Sequence, residues 1–338
     1  MNKMQLEAAA KTYDTKLNAN KKFCNEMQDL IGKLIENAEV GVHSISGRVK
    51  ERDNFIKKCQ KDKYDDFSQI TDVVGIRVVN YLLDEVEEVC KLIESEFIVD
   101  ERNSGDKSSE LNPDQFWYDS IHYVLRLKPQ RCELPEYIQY KDMVFEVQVR
   151  TLLQHTWAEF SHDNYYKSSR EYPREIQRKL SRISAVLEEC DINFQGLYND
   201  MKKHTEDTKT EIAEGNLDME LDSTTLTEYL HSKFDLNDDK KTFDDFDKEV
   251  IQELKDFGVN AIKDLDDIVE SKKIVRNQDS KCYTSLLWDI MIIADAEKYF
   301  EKVERSFIIS FEKSEVNYFK NYGVDIQALS EKYGFEIH

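Results

Sequence analysis

A seven-residue segment, residues 144–150, reads Val-Phe-Glu-Val-Gln-Val-Arg and alternates apolar with polar side chains. Because successive side chains of a β-strand point to opposite faces, this segment has one apolar face and one polar face. The apolar face carries Phe145, Val147 and Val149. The polar face carries Glu146, Gln148 and Arg150. The pattern predicts a strand whose apolar face lies in a core and whose polar face is either solvated or part of a site.

Two further segments, residues 73–81 and 118–127, are also rich in β-branched and aromatic residues and indicate strands. Helical patterns cover the first forty residues and three later segments: 84–96, 151–162 and 173–198. Two more helical patterns follow residue 225, at 246–257 and 286–311. The sequence therefore predicts an α/β (α+β) fold: a mixed sheet flanked by helices, followed by a mostly helical C-terminal extension.

Charge divides the chain unevenly. Of the net charge of −21 over 338 residues, −13 falls in residues 201–338. Residues 205–225, rich in Thr, Glu and Asp, indicate a loose connection. We therefore predict two domains, residues 1–204 and an acidic, mostly helical accessory or regulatory domain at residues 205–338.

Composition excludes several classes of protein. The strong negative charge argues against indiscriminate binding to nucleic acid or to anionic membranes, since both depend on a positive field. The six cysteines contain no C-x-x-C pair, so neither a zinc cluster nor a disulfide framework is indicated. No segment has the length and apolarity of a signal peptide or membrane span. A cytoplasmic protein is the expectation.

Three other polar groupings accompany the strand pattern. Tyr118, Ser120 and His122 share one strand face and offer a ring for base stacking and groups for phosphate or ribose. Asp72 and Arg77 lie in an apolar strand, on opposite faces by strict alternation unless the chain bends at the strand entry or bulges near Gly75. The third grouping is a basic run, either a solvated helix face or a polyphosphate cradle: Arg48, Lys50, Arg52, Lys57, Lys58, Lys61 and Lys63.

Taken in order, these segments resemble the synthetase domain of the RelA/SpoT family, over roughly residues 40–170. The G-R-x-K element of that family is matched by Gly47, Arg48 and Lys50, and its D-x-x-G-x-R element by Asp72, Gly75 and Arg77. Its Y-x-S-x-H element is matched by Tyr118, Ser120 and His122, and its E-x-Q-x-R-T element by Glu146, Gln148, Arg150 and Thr151. The helix from residue 152 onward, with Lys167 after it, is similar to that of small stand-alone members.

The resemblance implies a nucleotidyltransferase-like sheet and a pyrophosphokinase that moves the β,γ-diphosphate of ATP to a ribose 3′-hydroxyl, with release of AMP. It implies that Asp72 holds Mg²⁺. Glu146 would either share this ion or act as the base that takes the proton from the acceptor 3′-hydroxyl. The resemblance places Arg48, Lys50, Lys58 and Arg77 on ATP. It places seven residues on the acceptor side: Tyr118, Ser120, His122, Gln148, Arg150, His155 and Lys167.

The chain departs from the family pattern at Asn54, Trp117 and Asp119, which puts the phosphate contacts and the acceptor in question. A metal triad of His155, Glu159 and His162 is disfavoured, since such a helix face more often packs or lines a pocket. We expect a synthetase without the hydrolase domain of long members, because that domain would precede the synthetase and only about forty residues do so here.

Three functions remain open at this stage. The first is synthesis of (p)ppGpp, with GDP or GTP as acceptor. The second is a toxin that pyrophosphorylates the 3′ end of tRNA, as some small relatives do. The third is an inactive nucleotide-binding sensor, which the intact Asp72 and Glu146 disfavour. A homo-oligomer or a regulatory partner through the C-terminal domain is a further expectation.

Overall fold

The computed structural model describes residues 3–61, 64–106, 120–161, 172–234, 247–277, 283–303 and 310–338. The chain divides into two compact units, Met1–Tyr198 and Asn199–His338. Helix α6 (Arg174–Ala213) runs through the boundary between them. Within the described ranges, no helix is long and apolar enough to span a membrane.

The first unit contains a mixed sheet of six strands: β1 (Ser44–Val49), β2 (Val74–Asn80), β3 (Phe97–Val99), β4 (Gly105–Asp106), β5 (Ile121–Leu127) and β6 (Phe145–Thr151). Their order across the sheet is β1-β2-β6-β5-β3, and β4 pairs with β5 outside this order. Strands β2 and β6 are parallel, whereas the other neighbours are antiparallel. The predicted mixed sheet is confirmed.

Helices α1 (Lys3–Asn37) and α3 (Leu83–Glu96) of the first unit cover the apolar face of this sheet, and four more described helices belong to the unit in whole or in part. These four are α2 (Arg52–Cys59), α4 (Pro129–Cys132), α5 (Leu152–Ser161) and α6. Phe23 and Met27 of α1 and Val89 of α3 are fully buried in one core with Ile76 of β2 and Val147 of β6. The alternation in residues 144–150 thus arises from burial of one strand face beneath two helices.

Gly47 allows α1 to approach β1 closely. A Cβ atom at this position would lie 2.8 Å from both Cys24 Sγ and Gln28 Oε1 on α1. These distances are shorter than real Cβ contacts, so a side chain here would force the Cys24 and Gln28 side chains, or α1 with them, to shift. The glycine of the G-R-x-K element therefore serves packing.

The second unit has its own apolar core, which includes Leu226, Tyr229, Leu265, Ile290 and Phe319. Its helices are α7 (Ser223–Phe234), α8 (Asp247–Asp256), α9 (Ile262–Lys272), α10 (Tyr283–Lys302), α11 (Lys313–Lys320) and α12 (Ile326–Tyr333). Strands β7 (Ser310–Phe311) and β8 (Glu336–Ile337) pair in parallel. The predicted helical extension is confirmed.

Two local predictions were wrong. Residues 205–213, predicted as part of a loose connection, continue α6, because their polar composition suits a solvated helix as well as a loop. The helix predicted over residues 286–311 ends at Lys302, and Ser310–Phe311 forms a strand that pairs with β8.

Asp191 of α6 is buried, with 2% of its surface exposed, and accepts a hydrogen bond from the Thr151 hydroxyl at 2.6 Å. Burial raises the pKa of this carboxyl to about 7. An unfolded Asp ionises near pH 3.9, so between about pH 4 and pH 7 the folded chain binds the proton more tightly than the unfolded chain does. The free energy of unfolding therefore falls as pH rises through this window.

We predict that Asp191→Asn removes this fall in the free energy of unfolding with rising pH. The melting temperature of the wild type should fall between pH 5.5 and pH 8.5 relative to that of the variant, as measured by scanning calorimetry at both pH values. A constant difference between the two proteins would show that ionisation of Asp191 is not coupled to folding.

Candidate functional site

A cleft opens on the polar face of the sheet, over β1, β2 and β6. Its space is about 400 Å³, including the open mouth. Eight residues line it: Ser46, Arg48, Asp72, Gly75, Ile76, Arg77, Glu146 and Gln148. Five of the predicted site residues, including both carboxylates, thus line one cleft.

Strand register explains this convergence. Arg48 pairs with Gly75, and Gly75 pairs with Glu146, so one row crosses three strands. Arg77 pairs with Gln148, and Gln148 pairs with His122, which gives a second row one step along. Side chains at paired positions share a face of the sheet, so each row brings its polar groups to the same side.

Asp72 reaches this cleft from outside the strand. Strand β2 begins at Val74, and its pairing with both neighbours is continuous, so no bulge occurs near Gly75. The chain bends at Val73 instead. Of the two arrangements compatible with the sequence, the bend at the strand entry is therefore the one that forms.

Gly75 forms part of the cleft floor. A Cβ atom at this position would meet no heavy atom within 4 Å, and the backbone of Gly75 lies outside the left-handed region. Neither packing nor backbone strain therefore requires glycine here. The missing side chain leaves open space between Arg48 and Glu146, its pairing partners.

Two lysines converge on Asp72. Lys50, just after β1, places Nζ 3.0 Å from Asp72 Oδ2, and Lys58 of α2 places Nζ 2.6 Å from the same oxygen. Burial favours a neutral Lys58 amine, but the hydrogen bond and charge of Asp72 outweigh it and raise the pKa of Lys58. The other carboxylate oxygen, Asp72 Oδ1, is buried and accepts no hydrogen bond from the described residues. It is an anionic atom that has lost its water without gaining a partner, which is costly unless a ligand binds there.

Glu146 belongs to a chain of hydrogen bonds on the same face. Its Oε1 accepts a hydrogen bond from Gln148 Nε2 at 2.7 Å and lies 3.2 Å from His122 Nδ1. His122 Nε2 lies 2.8 Å from Ser120 Oγ. Burial would raise the pKa of Glu146, but the bonds and charge of His122, with help from Gln148, outweigh it and hold the pKa at about 2. Glu146 is therefore ionised at any physiological pH.

Glu159 of α5 gathers three further groups. Its Oε1 lies 3.0 Å from Arg77 Nη1, 3.8 Å from Arg150 Nη2 and 4.0 Å from His155 Nδ1. Arg150 is 3% exposed, whereas Glu159 is 54% exposed. Burial, followed by the charges of Arg150 and Arg77, lowers the pKa of His155. Two guanidinium groups therefore share one carboxylate, and their excess positive charge can accept a second anion.

Two of the predicted site residues are not among those that the structure describes. Tyr118 and Lys167 fall outside the described residues. So do Trp117 and Asp119, at which the chain departs from the family pattern, and His162 of the disfavoured metal triad. Asn54 is exposed on α2. Within the described part of the chain, no three His, Cys, Asp or Glu side chains are grouped as metal ligands. Sequence reasoning missed the role of Glu159, for which the spacing of four residues from His155 was the only signal.

Comparison with known proteins agrees with the motif assignment. Residues 47–171 match the family described as the region found in RelA / SpoT proteins. The chain is 25% identical over 155 residues to GTP pyrophosphokinase YjbM of Bacillus subtilis, covering 44% of this chain and 69% of that protein. It is 20% identical over 161 residues to GTP pyrophosphokinase YwaC of the same organism, covering 46% and 73%.

A solved structure is also similar. Small alarmone synthetase 1 of Bacillus subtilis, bound to its product pppGpp, is 20% identical, with a TM-score of 0.47. The similarity covers 56% of this chain and 98% of that one. The resemblance predicted from the motifs is confirmed by the family match.

Proposed function

We propose that the chain transfers the β,γ-diphosphate of ATP to the ribose 3′-hydroxyl of GDP or GTP, because its residues 47–171 match the region found in RelA / SpoT proteins. The products would be (p)ppGpp and AMP. The observation that carries the proposal is the cleft in which Asp72, with a buried and unbonded oxygen, faces the same space as Glu146. The names of the relatives, both GTP pyrophosphokinases, support the reaction class.

The donor phosphates would be held by the cationic groups of the cleft. Arg48 is exposed and lines the cleft, and its guanidinium makes no hydrogen bond or ion pair with the described residues. Arg77 lines the same cleft, and Lys50 and Lys58 bring two more positive charges beside Asp72. Guanidinium and ammonium groups in such numbers suit a polyphosphate. Transfer of the diphosphate would rest mainly on positioning and charge neutralisation.

The carboxylates suit a magnesium ion shared with the donor. Mg²⁺ is commonly bound by one or two carboxylates together with substrate phosphates and water. Asp72 Oδ1 is a buried anionic oxygen that no described residue satisfies, which fits such a ligand. Asp72 and Glu146 would hold the ion, which would neutralise charge on the transferred phosphates.

Glu146 is better suited to holding charge than to taking a proton. A carboxylate with a pKa of about 2 is a weak proton acceptor at neutral pH. We therefore assign Glu146 to the metal and to the orientation of His122 and Gln148, and not to abstraction of the acceptor proton. The proposal thus favours the first of the two roles that the resemblance implies.

The acceptor would lie beyond Gln148, toward β5 and α5. Ser120, His122 and Gln148 form a connected polar row there. Arg150 and His155 lie at the end of β6 and the start of α5, where an acceptor phosphate would find positive charge. Tyr118 and Lys167 are assigned to this side by the family resemblance.

Glu159 would compete with a nucleotide phosphate for the guanidinium of Arg77, so removing its charge should tighten binding. We predict that Glu159→Gln lowers the Kd for ATP about threefold, because an exposed pair of this kind is worth about 0.2–1 kcal/mol. Titration calorimetry with a non-hydrolysable ATP analogue would measure it. Glu87→Gln, which breaks the exposed Glu87–Lys91 pair on α3, is the matched control and should change nothing. Weaker binding in Glu159→Gln would show that Glu159 positions Arg77 for the ligand.

The function is tested by incubating the full chain with Mg²⁺ and ATP labelled in the γ-phosphate, in three reactions with GDP, GTP or deacylated tRNA. Label should appear in ppGpp or pppGpp, with one AMP released per product. Label in tRNA alone would instead identify a toxin of the related class. ATP binding without transfer to any acceptor would identify a sensor.

A further inference from the structure

Helix α1 packs on two separate apolar clusters along its length. Its second half packs on the sheet, where Phe23 and Met27 are buried. Its first half packs on α2 instead. We call this smaller group the α1–α2 cluster, and its buried members are Ala9, Tyr13, Phe55, Cys59 and Ile70. The first half of α1 therefore has a packing partner of its own, apart from the sheet.

Three charged groups of the cleft belong to segments that adjoin the α1–α2 cluster. Helix α2 buries Phe55 in the cluster and carries Lys58, whose Nζ lies 2.6 Å from Asp72 Oδ2. The segment before β2 buries Ile70 in the cluster, two residues before Asp72 itself. Lys50, between β1 and α2, is bonded to the cluster through its main chain. The relative positions of the two lysines and Asp72 thus depend on how α1 packs here.

Tyr13 is the member of the cluster that contacts Lys50. Its hydroxyl donates a 2.6 Å hydrogen bond to the Lys50 carbonyl oxygen. The centroid of its ring lies 5.2 Å from that of the Phe55 ring. Burial raises the pKa of Tyr13, so the hydroxyl keeps the proton that this bond needs at any physiological pH. One buried side chain of α1 therefore contacts both α2 and the residue that precedes it in the cleft.

The main chain of Lys50 is held on both sides. Its N–H donates a hydrogen bond to the Val73 carbonyl oxygen at 2.8 Å, and its own carbonyl accepts the bond from Tyr13. Its ammonium lies 3.0 Å from Asp72 Oδ2. A lysine side chain has many rotamers, so the position of its ammonium depends on how firmly its main chain is fixed. Loss of the Tyr13 hydroxyl would remove one of the two main-chain bonds.

We propose that Tyr13 is a positioning residue for the donor nucleotide: its hydroxyl fixes the Lys50 main chain so that the Lys50 ammonium meets the phosphates of a nucleoside triphosphate. This inference rests on the proposed function, which takes the cleft beside Asp72 as the phosphate site. A cation that is already in place loses less freedom when the ligand binds, and this preorganisation raises affinity. Tyr13 lies outside residues 47–171, the region that matches the family.

The test is Tyr13→Phe, which removes the hydroxyl but keeps the ring on Phe55. Titration calorimetry of the full chain with Mg²⁺ and a non-hydrolysable ATP analogue should give a Kd raised roughly three- to tenfold, the effect of losing one hydrogen bond of ordinary net strength. In transfer assays the KM for ATP should rise by a similar factor, whereas the KM for GDP or GTP should stay unchanged. A general loss of structure would not separate the two substrates in this way.

Tyr123→Phe is the matched control. Tyr123 is also buried, at 8% exposed, and donates its hydroxyl to Glu94 Oε1 at 2.7 Å in the core of the sheet. Its melting temperature should fall as that of Tyr13→Phe does, while its Kd for the analogue stays at the wild-type value. An unchanged Kd in Tyr13→Phe would overturn the proposal, as would an equal rise of the Kd in the control.

Lys50→Met shows whether the Tyr13 hydroxyl acts through Lys50. The Kd of Tyr13→Phe/Lys50→Met should not exceed that of Lys50→Met, because the group that Tyr13 positions is already absent. Additive losses would overturn the proposal.

Binding and transfer separate this inference from the proposed function. Weaker analogue binding by Tyr13→Phe, in a chain that transfers diphosphate to no acceptor, would refute the function and support the positioning role. Normal transfer by the wild type with equal affinities in the two proteins would do the reverse. A wild-type chain that binds no analogue would overturn both.

Discussion

Asp72→Asn should reduce the rate of diphosphate transfer by a factor on the order of 10²–10³, the usual cost of losing one electrostatic contact to a transition state. Asn keeps the shape of the side chain but removes the charge that faces Lys50, Lys58 and the proposed metal. Glu146→Gln should have an effect of similar size, because it removes an anion from the other side of the same cleft. The measurement is AMP release from ATP in the presence of GDP or GTP.

Thermal melts decide whether such a loss is chemical. Asp72 is 18% exposed and lies at a strand entry, so its replacement should leave the core unchanged. Asp14→Asn provides a control on the same side of the unit, since it breaks an exposed ion pair with Arg52 outside the cleft. A folded Asp72→Asn protein with near wild-type turnover would mean that the catalytic carboxylate has been misassigned.

Much of the sheet could be predicted from local sequence. Alternation in residues 144–150 fixes which face of β6 is polar, because burial under α1 and α3 imposes a period of two. The polar members of that face then line the cleft or its edge, as Glu146, Gln148 and Arg150 do. Where one strand face is buried, register and orientation follow from the apolar pattern.

Other features depend on contacts between segments distant in sequence. Nothing local to Glu159 shows that Arg77, 82 positions earlier, shares its carboxylate with Arg150. The apolar pattern of α6 also does not predict which side of the helix is buried. That side is held by two hydrogen bonds, from Thr151 to Asp191 and from Gln195 to Asp84. An apolar stripe predicts which helix face gains free energy by burial, but which element covers that face depends on the tertiary structure.

The two glycines of the family motifs illustrate the same limit, since the sequence does not distinguish their roles. Gly47 is enclosed by Cys24 and Gln28, so Gly47→Ala should lower the free energy of unfolding by about 1–3 kcal/mol, the usual cost of overpacking. Gly75 faces open space, so Gly75→Val should leave stability unchanged or raise it slightly, because a β-branched residue suits a strand better than glycine.

Gly75→Val should nevertheless abolish function. Its side chain would stand in the cleft between Arg48 and Glu146, where the donor phosphates and metal are proposed to lie. We expect ATP binding to fall below detection in titration calorimetry and transfer to drop at least about 100-fold, a loss of about 2.7 kcal/mol of transition-state stabilisation. Calorimetric melts of both glycine variants complete the comparison. If Gly75→Val binds ATP as tightly as the wild type, the nucleotide does not occupy the cleft floor. If it is destabilised as Gly47→Ala is, the space beside Gly75 is needed by the protein and not by a ligand.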